Sequence, residues 1–289
     1  MRYDKLAAIT AAALLLCSCS SKKSEDVQPE ASTAEAKTVT AVTGDITVTF
    51  LDVGKADAII IQTGEEFAVI DCGEKGDGKD IAELIKESGG DSVSHLIITH
   101  YDQDHVGGAA KVIKELNVEN VYAPDYGEDS KEVEKLHDAL EDKDMELQLL
   151  TSDITFSLGE AEFTVYAPKL TDYGDGDDND FSLVTRVDFG ENSFIFAGDA
   201  MEARLNEIMD IGDCDLLKVP YHGRRLDNTD QFLDAVTPEY AVVCTSAEEF
   251  DSKTQLSLSK RDIATYATCY NGTITASGDG KSIKVTSEK

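Results

Sequence analysis

Positive charge is what this chain has least of. Its 289 residues carry 26 Lys and Arg against 57 Asp and Glu, a formal net charge of −31. Polyanions are gripped mainly through Lys and Arg, so this balance argues against tight, non-specific nucleic-acid binding. A solvated acidic surface, as on a secreted or salt-adapted protein, accounts for it without an acidic-partner function. No C-x-x-C pair occurs, and a structural zinc knuckle is therefore not expected. Spacing sets no disulfide pairing for Cys72, Cys214, Cys244 and Cys269; Cys244 ends an apolar run and reads as a buried thiol. The apolar run Leu6 to Leu16 is too short for a permanent membrane-spanning helix.

What that run does fit is an export signal. Arg2 and Lys5 supply the charged start, and the run ends in "LLLCSCS". Leu16-Cys17-Ser18-Cys19 resembles a bacterial lipobox with a small residue before the cysteine, so Cys19 is the expected lipidated residue; Cys17 is the weaker choice, with Leu16 at its cleavage position. Residues 1–19 are read as a lipoprotein signal peptide. Residues 20–44, polar and aperiodic, read as a flexible tether, and a segment of about 20 residues has a typical end-to-end distance of about 25 Å. The protein is thus expected outside the cytoplasm of a bacterium, touching the membrane only through its anchor.

The chain's apolar fraction of 41% is ample for a core, and the sequence becomes periodic over residues 45–289. "ITVTFLDVG" alternates as a strand entering a turn; "AIIIQTG" and "EEFAVIDCG" read as a hairpin around Gly64. "KDIAELIKES" has helical spacing closed by Gly89-Gly90, and "HLIIT" is a short strand buried on both faces. The spacing predicts a helix over Gly107–Leu116 and a strand in "VENVYAP". Further strands are expected at Ala161–Tyr166, Ser182–Phe189, Ser193–Ala197, Leu216–Val219 and Tyr240–Val243, helices at Met201–Asp210 and Thr229–Ala235, and a terminal hairpin turning near Gly278–Gly280. This interleaving argues for a layered α/β or α+β domain. The acidic stretch "TDYGDGDDND" fails the EF-hand pattern and reads as a loop. His95 is expected to pack or cap just before its strand, and His137 to be solvated on a charged helix.

The chemistry gathers in "ITHYDQDHVGG". In an extended turn, residues two apart project to one side, so His100 and Asp102 can share one cation while Asp104 and His105 serve a second. Imidazole and carboxylate suit Zn²⁺, Mn²⁺ or Fe²⁺. "SFIFAGDA" presents Asp199 at a strand tip and "DLLKVPYHG" presents His222 beyond another. Three strand ends carrying metal-competent groups match the way α/β architectures build sites.

The order "FLDVGKADAIII", "FAVIDCG", "ITHYDQDHVGG", "NDFSLVTRV", "FIFAGDA", "LLKVPYHG" resembles the metallo-β-lactamase-fold hydrolases, and within them the branch holding the hydrolase domain of ComEC-type competence proteins. The resemblance runs from about Ile46 to near the C-terminus. It implies a single-domain, four-layer αββα sandwich with two divalent metal ions, Zn or Mn, at one edge of its sheets. It further implies His100 and Asp102 on the first metal, Asp104, His105 and His222 on the second, and Asp199 bridging them, with Asp104 and Asp199 as the catalytic carboxylates. Asp71 and Asp52 would support the ligands from behind. Many members have a further His upstream of the "GD" segment. Here "DDNDFSLV" has none, as in the ComEC-like branch, and Asn179 is the candidate for that position with Asp180 and Ser182 as rivals.

Two departures bear on function. Tyr221-His222-Gly223-Arg224 stands where the branch has "HHGS", and "SAEEFDSKTQLSLSK" holds no histidine where the branch has a "HPH"-type segment. Arg224 and Arg225 are either substitutes that grip phosphate oxygens or plain surface charge. Asp102, Asp104 and Asp199 would set three negative charges against the four of two divalent cations, leaving the loaded site near neutral once hydroxide binds. That favours harder metals such as Mn²⁺ and a weaker pull on anions than a His at position 102 would give. The leading expectation is an exported, lipid-anchored hydrolase using a metal-activated hydroxide on a small or polymeric phosphodiester, as a nuclease or phosphodiesterase. Hydrolysis of an ester or lactam is the second reading, and a non-catalytic metal-binding surface lipoprotein the third.

Overall fold

The computed structural model describes residues 41–174 and 178–289. The signal run, Cys17, Cys19, most of the 20–44 tether and residues 175–177 of the acidic stretch lie outside the described residues.

Alternation in the chain becomes two sheets packed face to face. The first contains β1 (Ile46–Phe50), β2 (Ala58–Thr63), β3 (Glu66–Cys72), β4 (Ser92–Ile97), β5 (Asn117–Pro124) and β6 (Leu147–Leu150). The second is β7 (Ile154–Leu158), β8 (Ala161–Tyr166), β9 (Val184–Phe189), β10 (Asn192–Phe196), β11 (Leu216–Lys218), β12 (Tyr240–Val243) and β13 (Ala264–Ala267). The terminal hairpin β14 (Ile274–Gly278) and β15 (Ile283–Ser287) returns to the first sheet, where β14 pairs antiparallel with β1. Among the described residues the strand orders are β15-β14-β1-β2-β3-β4-β5-β6 and β13-β12-β11-β10-β9-β8-β7, both mixed.

Every second residue of β1 faces the partner sheet: Ile46, Val48 and Phe50 are buried, Thr47 and Thr49 are not. Phe163, Phe189, Phe194 and Phe196 meet them from the second sheet, and the Phe50 and Phe196 rings lie 6.1 Å apart. The parallel strands are buried on both faces because helices cover their backs. On the first sheet these are α1 (Gly78–Glu87), α2 (Gln103–Val106), α3 (Ala109–Glu115) and α4 (Lys131–Glu141), which bury Ile81, Ile85, Val112, Ile113 and Leu136. On the second, α5 (Glu202–Glu207), α6 (Thr229–Val236) and α7 (Ser252–Ser259) bury Leu205, Phe232, Leu233 and Leu258, and α8 (Thr268–Asn271) follows β13. The result is the expected αββα sandwich. No helix among the described residues is long and apolar enough to cross a membrane.

One departure from the expected elements matters for the site. The helix expected over Gly107–Leu116 is α3, which begins only at Ala109, and a separate short helix, α2, precedes it across Gly107-Gly108. A Cβ on Gly108 would stand 2.2 Å from the Cys72 carbonyl oxygen, and one on Gly107 2.4 Å from the Gln103 carbonyl oxygen. The glycines therefore let this junction lie directly on the end of β3 and the start of α1. Backbone bonds lace the same region, with Gly73 N donating to Asp57 O at 2.7 Å, Asp57 N to Asp104 O at 3.1 Å and Gly108 N to Gly73 O at 3.2 Å.

His95 lies within β4, not before it, and stacks on Phe156 of the other sheet at 3.8 Å between ring centroids. Burial lowers its pKa to about 4 from an ordinary value of 6.5. A depressed base is neutral in the fold but protonated in the unfolded chain, so its contribution is whole above about pH 6.5 and is lost as pH falls toward 4. His95→Phe should flatten that part of the acid limb, seen as a smaller loss of denaturation midpoint between pH 7 and pH 4.5. An unchanged pH slope would assign the acid sensitivity elsewhere.

Candidate metal centre

Strand ends from both sheets converge on one buried cluster. From the first sheet, β4 runs into Ile98-Thr99-His100, and the next turn opens α2 with Asp104 and His105. From the second, β10 delivers Gly198-Asp199 and β11 leads through Pro220 to His222. His100, His105 and His222 have no exposed surface, and Asp199 has 2%.

Asp71 fixes His105. Its Oδ2 lies 2.7 Å from His105 Nδ1 and accepts from Thr99 Oγ1 at 2.7 Å, while its Oδ1 accepts from Thr99 N at 2.8 Å. A carboxylate facing Nδ1 holds the proton there and turns the Nε2 lone pair toward the cluster. His222 is fixed in the same way, by donating from Nδ1 to the Cys244 carbonyl at 2.9 Å. Asp71, Tyr221 and His222 all have positive φ, at 57°, 52° and 50°. Such left-handed backbone costs free energy at non-glycine residues and gathers at functional sites.

The groups so aimed are nearly all acceptors. His222 Nε2 lies 3.0 Å from Asp199 Oδ2, 3.2 Å from Asp104 Oδ2 and 3.3 Å from His105 Nε2, and His105 Nε2 lies 3.4 Å from Asp199 Oδ1. His100 Nε2 is buried without a hydrogen-bond partner, 3.5 Å from the half-exposed Asp102 carboxylate. Lone pairs packed this closely repel one another unless a cation or protons sit among them. His100, His105 and Asp199 form one group whose ligand atoms lie within 4.8 Å, and Asp104, His105 and His222 form another. This donor set fits divalent metal ions.

The carboxylates also favour protonated imidazoles. Burial alone would lower the imidazole pKa values, yet the carboxylates outweigh it. Asp199, Asp104 and Asp57 raise His222 to about 9, and Asp199 and Asp71 raise His105 well above its ordinary value. Burial would raise Asp104, but His222, His105 and Lys55 hold it well below the carboxylate range.

Two further residues belong to the cluster and sequence reading passed over both. Lys218, fully buried, forms an ion pair with Asp57, donates to the Gly198 carbonyl at 2.8 Å and lies 3.6 Å from Asp199 Oδ1. Asp57 also lies 3.6 Å from His222 Nδ1 and 3.9 Å from His105 Nδ1. The available signal was a lone Lys in "DLLKVP" and a lone Asp heading "AIII", each a charge in an apolar run.

Other expected residues fall elsewhere. Asp52, expected behind the ligands, is exposed and pairs with Lys289 at 3.2 Å, because the turn after β1 directs it outward and Asp57 inward. Arg225 braces α6 to α7, with Asp230 at 2.5 Å and Ser257 Oγ at 2.7 Å. Arg224 bonds Glu249 at 2.6 Å and the Tyr221 hydroxyl at 3.0 Å. Asn179 lies in a short turn over Asp178–Phe181, where its carbonyl accepts from Ser182 N. Its rivals are engaged: Asp180 Oδ1 accepts from Met201 N and Arg204 N at the start of α5, and Ser182 Oγ accepts from Asp199 N at 3.1 Å.

Comparison with known proteins identifies the family and the fold. The family described as "Metallo-beta-lactamase superfamily" matches residues 51–247. ComE operon protein 3 of Bacillus subtilis (strain 168) is 26% identical over 151 residues, covering 51% of this chain and 19% of that protein. Recombination protein 2 of Haemophilus influenzae (strain ATCC 51907 / DSM 11121 / KW20 / Rd) is 29% identical over 202 residues, covering 67% and 23%. The chain thus spans about a fifth of the length of these curated relatives. Among solved structures, the metallo-beta-lactamase fold protein YhfI from Bacillus subtilis superposes with a TM-score of 0.54 at 11% identity, covering 81% of this chain and 100% of that one.

Removing one member of a buried ion pair strands the other, at a cost of about 3–5 kcal/mol. Lys218→Met in metal-free protein should show that loss by urea denaturation, and adding Asp57→Asn should recover most of it. Equal losses in the single and double variants would mean that the pair is not the source.

Proposed function

The chain belongs to the metallo-beta-lactamase superfamily, and its similarity to ComE operon protein 3 and Recombination protein 2 supports the ComEC-like branch; on that premise we propose that it is an exported, lipid-anchored metal-dependent hydrolase acting on phosphodiesters. The observation that carries this reading is the inward aim of His105 and His222 Nε2 onto Asp104 and Asp199, each imidazole fixed from behind. His100, Asp102 and Asp199 would hold one divalent ion, Zn or Mn, and Asp104, His105, His222 and Asp199 a second. Ions bound there supply Lewis acidity and bring the ionisation of water toward neutral pH.

The chain's own residues do the rest. Asp71 and the Cys244 carbonyl keep the two imidazoles in the tautomer that presents Nε2. Lys218 and Ser182 hold the Gly198-Asp199 turn so that the Asp199 carboxylate stays at the junction of the sheets. The burial of the histidines excludes bulk water from behind the ligands, so a substrate approaches from the side of Asp102, which is 46% exposed. Lys55 and Arg224 bring positive charge to the cluster on a chain that otherwise repels polyanions. A small phosphodiester, such as a nucleotide or a wall-polymer headgroup, fits that balance better than long nucleic acid.

The purified chain should carry two divalent ions by elemental analysis and turn over bis(p-nitrophenyl) phosphate with added Mn²⁺ or Zn²⁺. Asp104→Ala should lower that rate by about a hundredfold or more. Hydrolysis of an acyl ester with no phosphodiester turnover would favour the ester or lactam reading. Metal binding with no turnover on either substrate would leave a binding protein. For the anchor, labelling with a fatty-acid analogue in a bacterial host should vanish in Cys19→Ala and persist in Cys17→Ala; the reverse pattern would move the lipid to Cys17.

A further inference from the structure

Two ammonium groups touch the metal-ligand cluster, and they are held very differently. Lys218 has no exposed surface and is gripped by Asp57 and the Gly198 carbonyl. Lys55 stands on the turn between β1 and β2 with a third of its side chain exposed, and its Nζ donates to Asp104 Oδ2 at 2.6 Å. Asp104 Oδ2 is also the oxygen that faces His222 Nε2 at 3.2 Å. A tethered monovalent cation therefore occupies the carboxylate oxygen that a divalent ion at Asp104, His105 and His222 would take.

Both cannot stay. An ammonium in contact with that oxygen would lie within a few ångströms of the incoming ion, at a separation where like charges repel strongly and solvent screens little. Lys218 has no room to leave. Lys55 has a four-carbon stem and an open side toward solvent. Around it at the mouth are Arg224, which is bonded to Glu249 and to the Tyr221 hydroxyl, and Glu249 itself. Once off Asp104, the Lys55 ammonium stays tethered beside the cluster, on a side open to solvent.

We propose that Lys55 is a specificity-determining residue with two positions: it occupies Asp104 in the metal-free chain, and when a divalent ion displaces it, it contacts an anionic oxygen of the substrate. This rests on the reading that the cluster holds metal. It gives the acidic protein a local cation for a phosphate group, and it makes the affinity for metal and the affinity for anion depend on one side chain in opposite directions.

The test uses the full chain as wild type, Lys55→Gln and Lys55→Arg. Chelator competition with Mn²⁺ and with Zn²⁺ gives the affinity of the more weakly held ion, and titration of inorganic phosphate into the metal-loaded protein gives anion affinity. Lys55→Gln should bind that ion about fivefold more tightly and phosphate about fivefold more weakly, the scale of a partly exposed ion pair. Lys55→Arg, which keeps the charge, should stay within about twofold of wild type in both. A residue that only braced the turn would not move the two affinities in opposite directions. Metal affinity that is unchanged or weakened in Lys55→Gln, or phosphate affinity that is unchanged, overturns the proposal while leaving the metal site intact. Absence of metal binding in the wild-type chain would instead overturn the metal reading itself, and this inference with it.

Discussion

The ion pair between Lys218 and Asp57 sets the terms for everything at this edge of the sandwich. Lys218 ends β11 in the second sheet, and Asp57 precedes β2 in the first, so the pair crosses the sheet interface at the point where the ligands meet. Four carboxylates, Asp57, Asp71, Asp104 and Asp199, crowd the same few ångströms of nearly dry protein. Buried charge at this density is tolerated only when it is paired and hydrogen-bonded. The Lys218 ammonium answers Asp57, the Gly198 carbonyl and one face of Asp199 together. The loop that carries Asp199 is therefore set before any ion arrives.

A second constraint follows from the first. With Asp57 taken by Lys218, the imidazoles need other partners to fix their protons, and the fold supplies them from different elements. Asp71 at the end of β3 faces His105, and the Cys244 carbonyl beyond β12 faces His222. Reaching those partners forces Asp71, Tyr221 and His222 into left-handed backbone. An aspartate tolerates that conformation better than most residues, because its short polar side chain bonds locally. A tyrosine does not, so the surrounding packing holds the Tyr221-His222 turn. Gly107 and Gly108 perform the opposite service, removing side chains so that α2 can rest on Cys72 and bring Asp104 and His105 within reach.

Much of this was legible in the residue order. Alternation located β1, the apolar runs around Gly64 located β2 and β3, and those ending in "GD" and "PYHG" located the strand tips, because period and termination are local properties. What was not legible depended on contacts between distant segments. Asp52 and Asp57 both flank the turn after β1, and composition does not say which points inward; the choice is made by Lys218, far along the chain. Lys218 itself sits in a strand that reads as apolar, and only its partner explains its burial. The junction between α2 and α3 has the same origin: two adjacent glycines mark a turn locally, but only the distant Cys72 carbonyl shows why no side chain fits there. Arg225 was open to two readings, a phosphate grip or surface charge, because its partners lie in other elements: α6 and α7 bring it Asp230 and Ser257.

The acidic total and the charges beside the cluster act at different distances, and this bears on the substrate proposed above. Solvent-exposed charges are screened beyond about 8–10 Å at ordinary ionic strength, whereas those inside a cleft are not. A long polyanion lying across the surface would meet many carboxylates at once, and its losses would add along its length. A small phosphodiester meets the surface only briefly and then lies among groups a few ångströms away, where Lys55, Arg224 and any bound ions outweigh Asp102 and Glu249. For the proposed substrate, a net charge of −31 would then act as a size filter rather than a bar to anions. On the proposed reading, a lysine at Lys55 is useful for the same reason: an acidic protein that admits an anion needs its positive charge close to the reaction.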